Sequence, residues 1–118
     1  MTLSELNEYF DLLQQHRKTA EILKNIKGSN ITDKRAEITD TEIKIRILVD
    51  EIDKRNDQVY RFIDSIEDYY IHMIFRLRFL RGLSWKEIAG IVGGGNSEES
   101  VKSAAYRYIK KLHRDDAP

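Results

Sequence analysis

Phe75-Arg76-Leu77-Arg78-Phe79-Leu80-Arg81-Gly82-Leu83-Ser84-Trp85-Lys86-Glu87-Ile88-Ala89 decides the fold of this 118-residue chain. An apolar helix carrying Tyr70, Ile71, Ile74, Phe75, Leu77, Phe79 and Leu80 runs into Arg81-Gly82, where glycine takes a left-handed cap at little cost. Ser84 starts a second helix: its hydroxyl caps free amides while Glu87 reaches back to the Ser84 amide, a reciprocal capping box. Trp85, Ile88, Ala89 and Val92 then share one face at spacings of three and four and pack on the preceding helix. Gly93-Gly94-Gly95-Asn96 ends the second helix, and Ser97 or Ser100 caps a third that turns Val101, Ala104, Ala105, Tyr108, Ile109 and Leu112 inward. Ile66 to Leu112 therefore reads as a helix-turn-helix. Its expected core gathers Ile74, Leu77, Leu80, Leu83, Trp85, Ile88, Val92, Val101, Ala105, Tyr108 and Leu112. Glu98, Glu99, Lys102, Ser103, Tyr106, Arg107 and Lys110 are left facing outward on the last helix, the element that enters the major groove in such motifs.

Charge is balanced over the whole chain, with 20 basic and 20 acidic residues, but it is not evenly spread. From Tyr69 to Arg114 nine basic side chains face three acidic ones, Glu87, Glu98 and Glu99, whereas residues 1–65 hold eleven basic and thirteen acidic. A local cationic surface neutralises phosphates whatever the net charge of the chain. Within the helix-turn-helix pattern Lys102, Ser103 and Tyr106 read as base-contacting residues. Arg107, Lys110, Lys111, Arg76 and Arg78 complete the DNA-binding set, most of them toward the phosphate backbone. Glu98 and Glu99 suit the positive end of a helix but would repel nearby phosphate.

Upstream, Ile31, Ile38, Ile45, Ile52, Val59 and Ile66 recur at steps of seven, a heptad seam in which only Leu48 and Phe62 are apolar at the intermediate positions. Ile43, Ile47, Val49 and Ile63 widen it to a stripe that suits more than one neighbour. A first helix opens at Thr2 and Glu5, carries Leu6, Tyr9, Phe10, Leu13, Ala20, Leu23 and Ile26, and breaks at Lys27-Gly28-Ser29-Asn30, with Thr32 or Asp33 capping the next. The expected architecture is all-α: an antiparallel, coiled-coil-like helical hairpin over residues 1–65, then a helix-turn-helix domain over residues 66–118. Asp64 with Glu67 looks like a capping box that separates the two. The stripe has two readings, a hairpin core within one chain or a homodimer seam through Ile38, Ile45, Leu48, Ile52 and Val59. The second is favoured by the shorter first helix.

The run from Phe75 to Ala89, with Val101-Lys102-Ser103 and Lys110-Lys111-Leu112, resembles region four of bacterial sigma factors, over less than half the chain. Over its whole length the chain looks like the small sigma-region-four-like proteins of Firmicutes phages and prophages, which are similar to the ArpU and RinA type regulators of late phage genes. The resemblance implies binding of double-stranded DNA, control of transcription, and RNA polymerase as a further partner. Two departures stand out: the glycine-rich turn before the last helix is longer than in typical sigma factors, and Ala104 stands where many carry arginine. Two other classes fit the same pattern. Small terminase subunits combine a helix-turn-helix with oligomerising helices, and a helical interaction protein would keep the fold without binding DNA.

Other chemistry finds little in the sequence. With no cysteine and with His16, His72 and His113 scattered over three helices, neither a disulfide framework nor a metal site is expected, and Gly93-Gly94-Gly95 lacks the strand and lysine of a phosphate loop. No carboxylate pair sits where one would stay protonated, so an enzyme is not expected, nor is a cofactor. No signal peptide and no apolar run of membrane-spanning length is visible, and the expected location is the cytoplasm.

Overall fold

The computed structural model describes residues 1–29 and 34–115, the side chains of 114 and 115 excepted. Asn30, Ile31, Thr32 and Asp33, which the sequence assigns to the inter-helix break, the heptad stripe and a cap, lie outside the described residues. Among the described residues every regular element is helical, so the chain is all-α: α1 (Leu3–Lys27), α2 (Arg35–Asp64), α3 (Tyr69–Phe75) running into a π-helical turn (Arg76–Leu80), α4 (Trp85–Val92) and α5 (Glu98–Asp115).

The starts of these helices follow local chemistry. Thr2 and Glu5 form a reciprocal capping box on α1, and Ser84 and Glu87 form another on α4. Ahead of α5, Ser97 N donates to Ser100 Oγ at 2.9 Å and Ser100 N to Ser97 Oγ at 3.1 Å, so two hydroxyls share the role that Ser and Glu play elsewhere. Between α2 and α3 the chain breaks at Ser65, and the residue that caps α3 is Asp68, whose carboxylate accepts from Ile71 N at 3.0 Å. The sequence points to Asp64 as the cap. It lies instead in the last turn of α2, and the amides of Ser65 and Ile66 that follow it bond back to Arg61, Phe62 and Ile63.

α1 packs along α2 with opposite chain direction: the Tyr9 hydroxyl donates to Asn56 Oδ1 at 2.8 Å near one end, and Lys27 pairs with Glu42 at 3.4 Å near the other. Ile38, Ile45 and Leu48 are half-buried and share with Ile52, Asn56 and Val59 the side of α2 turned to α1. Val59 is fully buried and Ile52 packs against the core. The heptad stripe expected to join two copies is thus covered by α1 within one chain, because α1 runs long enough to lie along it.

α3 widens where Arg81 N bonds to Arg76 O, five residues back, at 3.2 Å. Phe75 and Phe79, four residues apart on one side, and Leu77 on another are all buried, so this segment is enclosed on more than one face. Phe75 and Phe79, outside the core expected from sequence, are among its centre. The Phe75 ring stands 5.9 Å from Phe62, 5.5 Å from Phe79 and 5.8 Å from Tyr108.

A single cluster of buried side chains joins Leu6 and Tyr9 of α1, Val59 and Ile63 of α2, and Ile66 to those of α3, α4 and α5. The core therefore runs across position 65, where chain direction changes. Away from it, none of the described residues between Phe10 and Gln58 is fully buried. α1 and α2 extend there as a two-helix arm, and the molecule is 58 Å long but only 18 Å thick. Leu6→Ala removes from this shared core a fully buried side chain of α1. Such a change is expected to cost about 2–5 kcal/mol in urea unfolding. A loss below about 1 kcal/mol would show that α1 merely leans on the remaining helices.

Candidate nucleic-acid interface

The α3–α4 turn positions everything that follows. Gly82 is buried with φ +67°, the left-handed region, and a Cβ there would come within 3.1 Å of Arg17 Nη2 and 3.2 Å of Gln14 Nε2, so both backbone and space call for glycine. Carbonyls at a helix end need donors. Gln14 Nε2 donates to Gly82 O at 2.7 Å, Arg17 Nη2 to Arg81 O at 2.9 Å and Arg78 Nη1 to Leu83 O at 3.0 Å. Two of these three side chains come from α1, more than sixty residues away in sequence.

Arg78 does not join the outward DNA-binding set. Its guanidinium lies 3.5 Å from the centroid of Phe10 and 4.4 Å from that of Trp85, clamped between the two rings. Burial there pushes its pKa down, with Tyr106 and Asp11 opposing. A side chain bonded to Leu83 O and covered on both faces has no fork left for a phosphate. Trp85 in turn meets Tyr106 edge to face at 6.1 Å, and the Lys102 ammonium stands 5.6 Å from the Tyr106 ring. A continuous stack of cations and rings thus runs from Phe10 through Arg78, Trp85 and Tyr106 to Lys102.

On the outer side of α5, Glu99, Lys102, Ser103, Tyr106 and Arg107 line one open hollow of about 620 Å³. Arg107 Nε donates to Ser103 O at 3.4 Å, and exposed Lys110 continues the face one turn on. Lys111 is exposed but lines a separate hollow with Asp68, Tyr108 and Leu112. Arg76 is exposed beside Tyr60, Met73, Leu77, Leu80 and Arg81, away from this face. Of the eight residues expected from sequence, the structure gathers Lys102, Ser103, Tyr106, Arg107 and Lys110. It sets Lys111 at the flank and Arg76 elsewhere, and packs Arg78 inside. Among the described residues none of the five gathered side chains is held in an ion pair, so the three cations are free to meet anions. Glu98 and Glu99 occupy the first turn of α5, where the helix dipole favours them.

Phe10, Gln14 and Arg17 are not legible in the sequence as functional residues. Phe10 shows there only as one apolar position in a helical stripe, and nothing local marks a side chain that reaches a turn elsewhere in the chain. Among the described residues no group of three or more His, Asp or Glu side chains could hold a metal ion, and no helix is long and apolar enough to cross a membrane. Comparison with protein families, curated proteins and solved structures returns no match.

Two measurements probe this site. Hydrogen bonds from the Ser84 backbone and hydroxyl hold the Glu87 carboxyl below its ordinary range. A depressed carboxylate contributes to the folded state above the unfolded pKa and stops doing so as pH falls through the folded one. Carboxyl titration by NMR should therefore place the Glu87 midpoint below that of an ordinary glutamate, and Ser84→Ala, which removes the hydroxyl and keeps the larger contribution of the backbone N–H, should bring it part of the way back. An unchanged midpoint in that variant contradicts the capping account. Arg78→Met keeps the stem but removes the cation between two rings; it should cost about 1–2 kcal/mol in urea unfolding and shift Trp85 fluorescence. Neither effect is expected if Arg78 is an ordinary surface side chain.

Proposed function

We propose that the chain is a sequence-specific DNA-binding regulator of transcription of the phage or prophage type, in which α3, α4 and α5 form a sigma-region-four-like helix-turn-helix and α1 with α2 forms its hairpin stalk. The observation that carries this reading is the gathering of Lys102, Ser103, Tyr106, Arg107 and Lys110 on the outer side of the helix that follows the turn. Cations with a hydroxyl and a phenol suit base edges and phosphates together. The capped α4 and the tight turn at Gly82 supply the rigid support such a helix needs. A cytoplasmic setting, RNA polymerase as a second partner and a homodimeric regulator belong to the same reading.

Glu99 lines the same hollow as Lys102 and Arg107, and this favours a second reading in which the fold serves a protein contact and not DNA. A DNA-packaging recognition subunit is the third, and a ring of many copies in solution would mark it.

The test is fluorescence anisotropy on a duplex selected from a random pool and on a scrambled one, across salt concentrations. Lys102→Ala with Tyr106→Phe should lower affinity for the selected site by about 1–3 kcal/mol for each base edge no longer read and flatten the preference, while the retained ring keeps its edge on Trp85. Lys110→Ala with Lys111→Ala should weaken both duplexes alike and make the logarithmic salt slope shallower by about 0.9 for each phosphate no longer neutralised. Failure of the intact chain to bind either duplex at low salt sinks the DNA reading and leaves the protein-contact one.

A further inference from the structure

We infer that a second copy of this chain docks antiparallel on the outer face of α2, with the two-fold axis at Ile47. Ile43 and Ile47 are 47% and 58% exposed and stand four residues apart on one helix face, and Ile47 lies at the open edge of the α1–α2 groove, where it lines a hollow with Lys44, Leu48 and with Gln15, Lys18 and Thr19 of α1. Two large aliphatic side chains are thereby left in the open on an arm that lacks a core of its own, since none of the described residues between Phe10 and Gln58 is fully buried. A two-helix layer of this kind gains stability by stacking on another layer.

Charge around Ile47 says what the other layer is. Lys44 and Asp50 lie three residues before and after it, and Asp40 and Lys54 lie seven before and after. The signs are opposite at both of these distances, while at ten residues either side Glu37 and Asp57 carry like charge, each paired within its own chain, with Lys34 and Arg61 respectively. In an antiparallel pair centred on Ile47, Lys44 meets the second copy's Asp50 and Asp40 meets the second copy's Lys54, and two-fold symmetry repeats both pairings. A parallel pair would bring each charge against its own like, so the sign pattern selects the antiparallel arrangement. Among the described residues Asp40, Lys44 and Asp50 make no ion pair within the chain, and the Lys54–Glu51 bridge is solvent-exposed and weak. The same register sets Ile43 opposite the second copy's Glu51, whose carboxylate is held within its own chain by Lys54 and Arg55.

The arrangement has a consequence that rests on the DNA-binding reading. The stretch from Ile47 to Asp64 measures about 26 Å at about 1.5 Å per residue, so two reading units sit about 50 Å apart, more than one turn of B-DNA.

Light-scattering mass on the full chain tests the dimer without any DNA. Wild type should show twice the 13.9 kDa of one chain. Ile47→Asp changes a side chain that is exposed within one copy, so it should give a folded monomer with unchanged helical circular dichroism, while Ile91→Asp, on an equally exposed isoleucine of α4, should leave the dimer intact. Lys44→Glu should weaken the dimer at least tenfold, and Lys44→Glu with Asp50→Lys should restore it. Since the chain has no cysteine, Ile47→Cys should form a disulfide-linked dimer on oxidation, and Ile91→Cys should not. A monomeric wild type, a larger ring, a dimer indifferent to Ile47→Asp, or a double charge reversal that fails to restore association would each overturn the proposal. The DNA-binding reading is decided separately by anisotropy.

Discussion

A helix that stops inside a protein leaves carbonyl oxygens without partners, and here that demand falls at Arg81, Gly82 and Leu83. Gln14, Arg17 and Arg78 meet it. Because two of the donors belong to α1, the amino-terminal helix is part of the turn on which α4 is set, and through α4 it fixes α5. The same region carries the core, in which Leu6 and Tyr9 are buried with Trp85, Ile88 and Val101. Gly82 is the hinge of this arrangement: its left-handed backbone frees the chain to turn, and its lack of a side chain lets the two α1 donors approach.

From that turn the stack of Arg78, Trp85, Tyr106 and Lys102 leads to the outer side of α5. Arg78 brings a charge into a half-buried place without an acid to match it, and the faces of Phe10 and Trp85 take the role an acid would have. Tyr106 is held by its ring against Trp85 and also lines the outer hollow, so on the proposed reading a base contact would come from a side chain braced by the core. The arm formed by α1 and α2 answers a different need. It has no fully buried residue along most of its length, and its outer side shows two isoleucines inside a sign-alternating field of charge.

What the sequence makes legible is what local chemistry decides. The capping boxes at Thr2 and Ser84, the serines ahead of α5, the break at Gly82 and the inward face of α5 all depend on residues within four positions of one another. Long-range partners are not legible in this way. An arginine on an amphipathic helix has the same local signature whether it meets a phosphate or slides between Phe10 and Trp85, so pattern alone puts Arg78 on the wrong side of the helix surface. Phe75 and Phe79 are underestimated because a single apolar stripe is read from sequence, while the segment from Ile74 to Phe79 is buried on more than one face. Asp64 with Glu67 carries the capping-box pattern in sequence, but α2 runs through Asp64 and the cap of α3 falls to Asp68, which has no acid three residues on to mark it. The heptad stripe marks the right face of α2 for an apolar contact, but periodicity does not name the partner, and α1 is the one that occupies it.

On the proposed reading, α5 contacts DNA from a frame held by α1. Backbone amide shifts in the NMR spectrum, recorded while a duplex selected from a random pool is added to the full chain, test it most directly. The largest changes are expected at Lys102, Ser103, Tyr106 and Arg107, smaller ones at Trp85, and little change at Ile43 and Ile47. Absence of shifts on α5, or shifts confined to the arm, would contradict it.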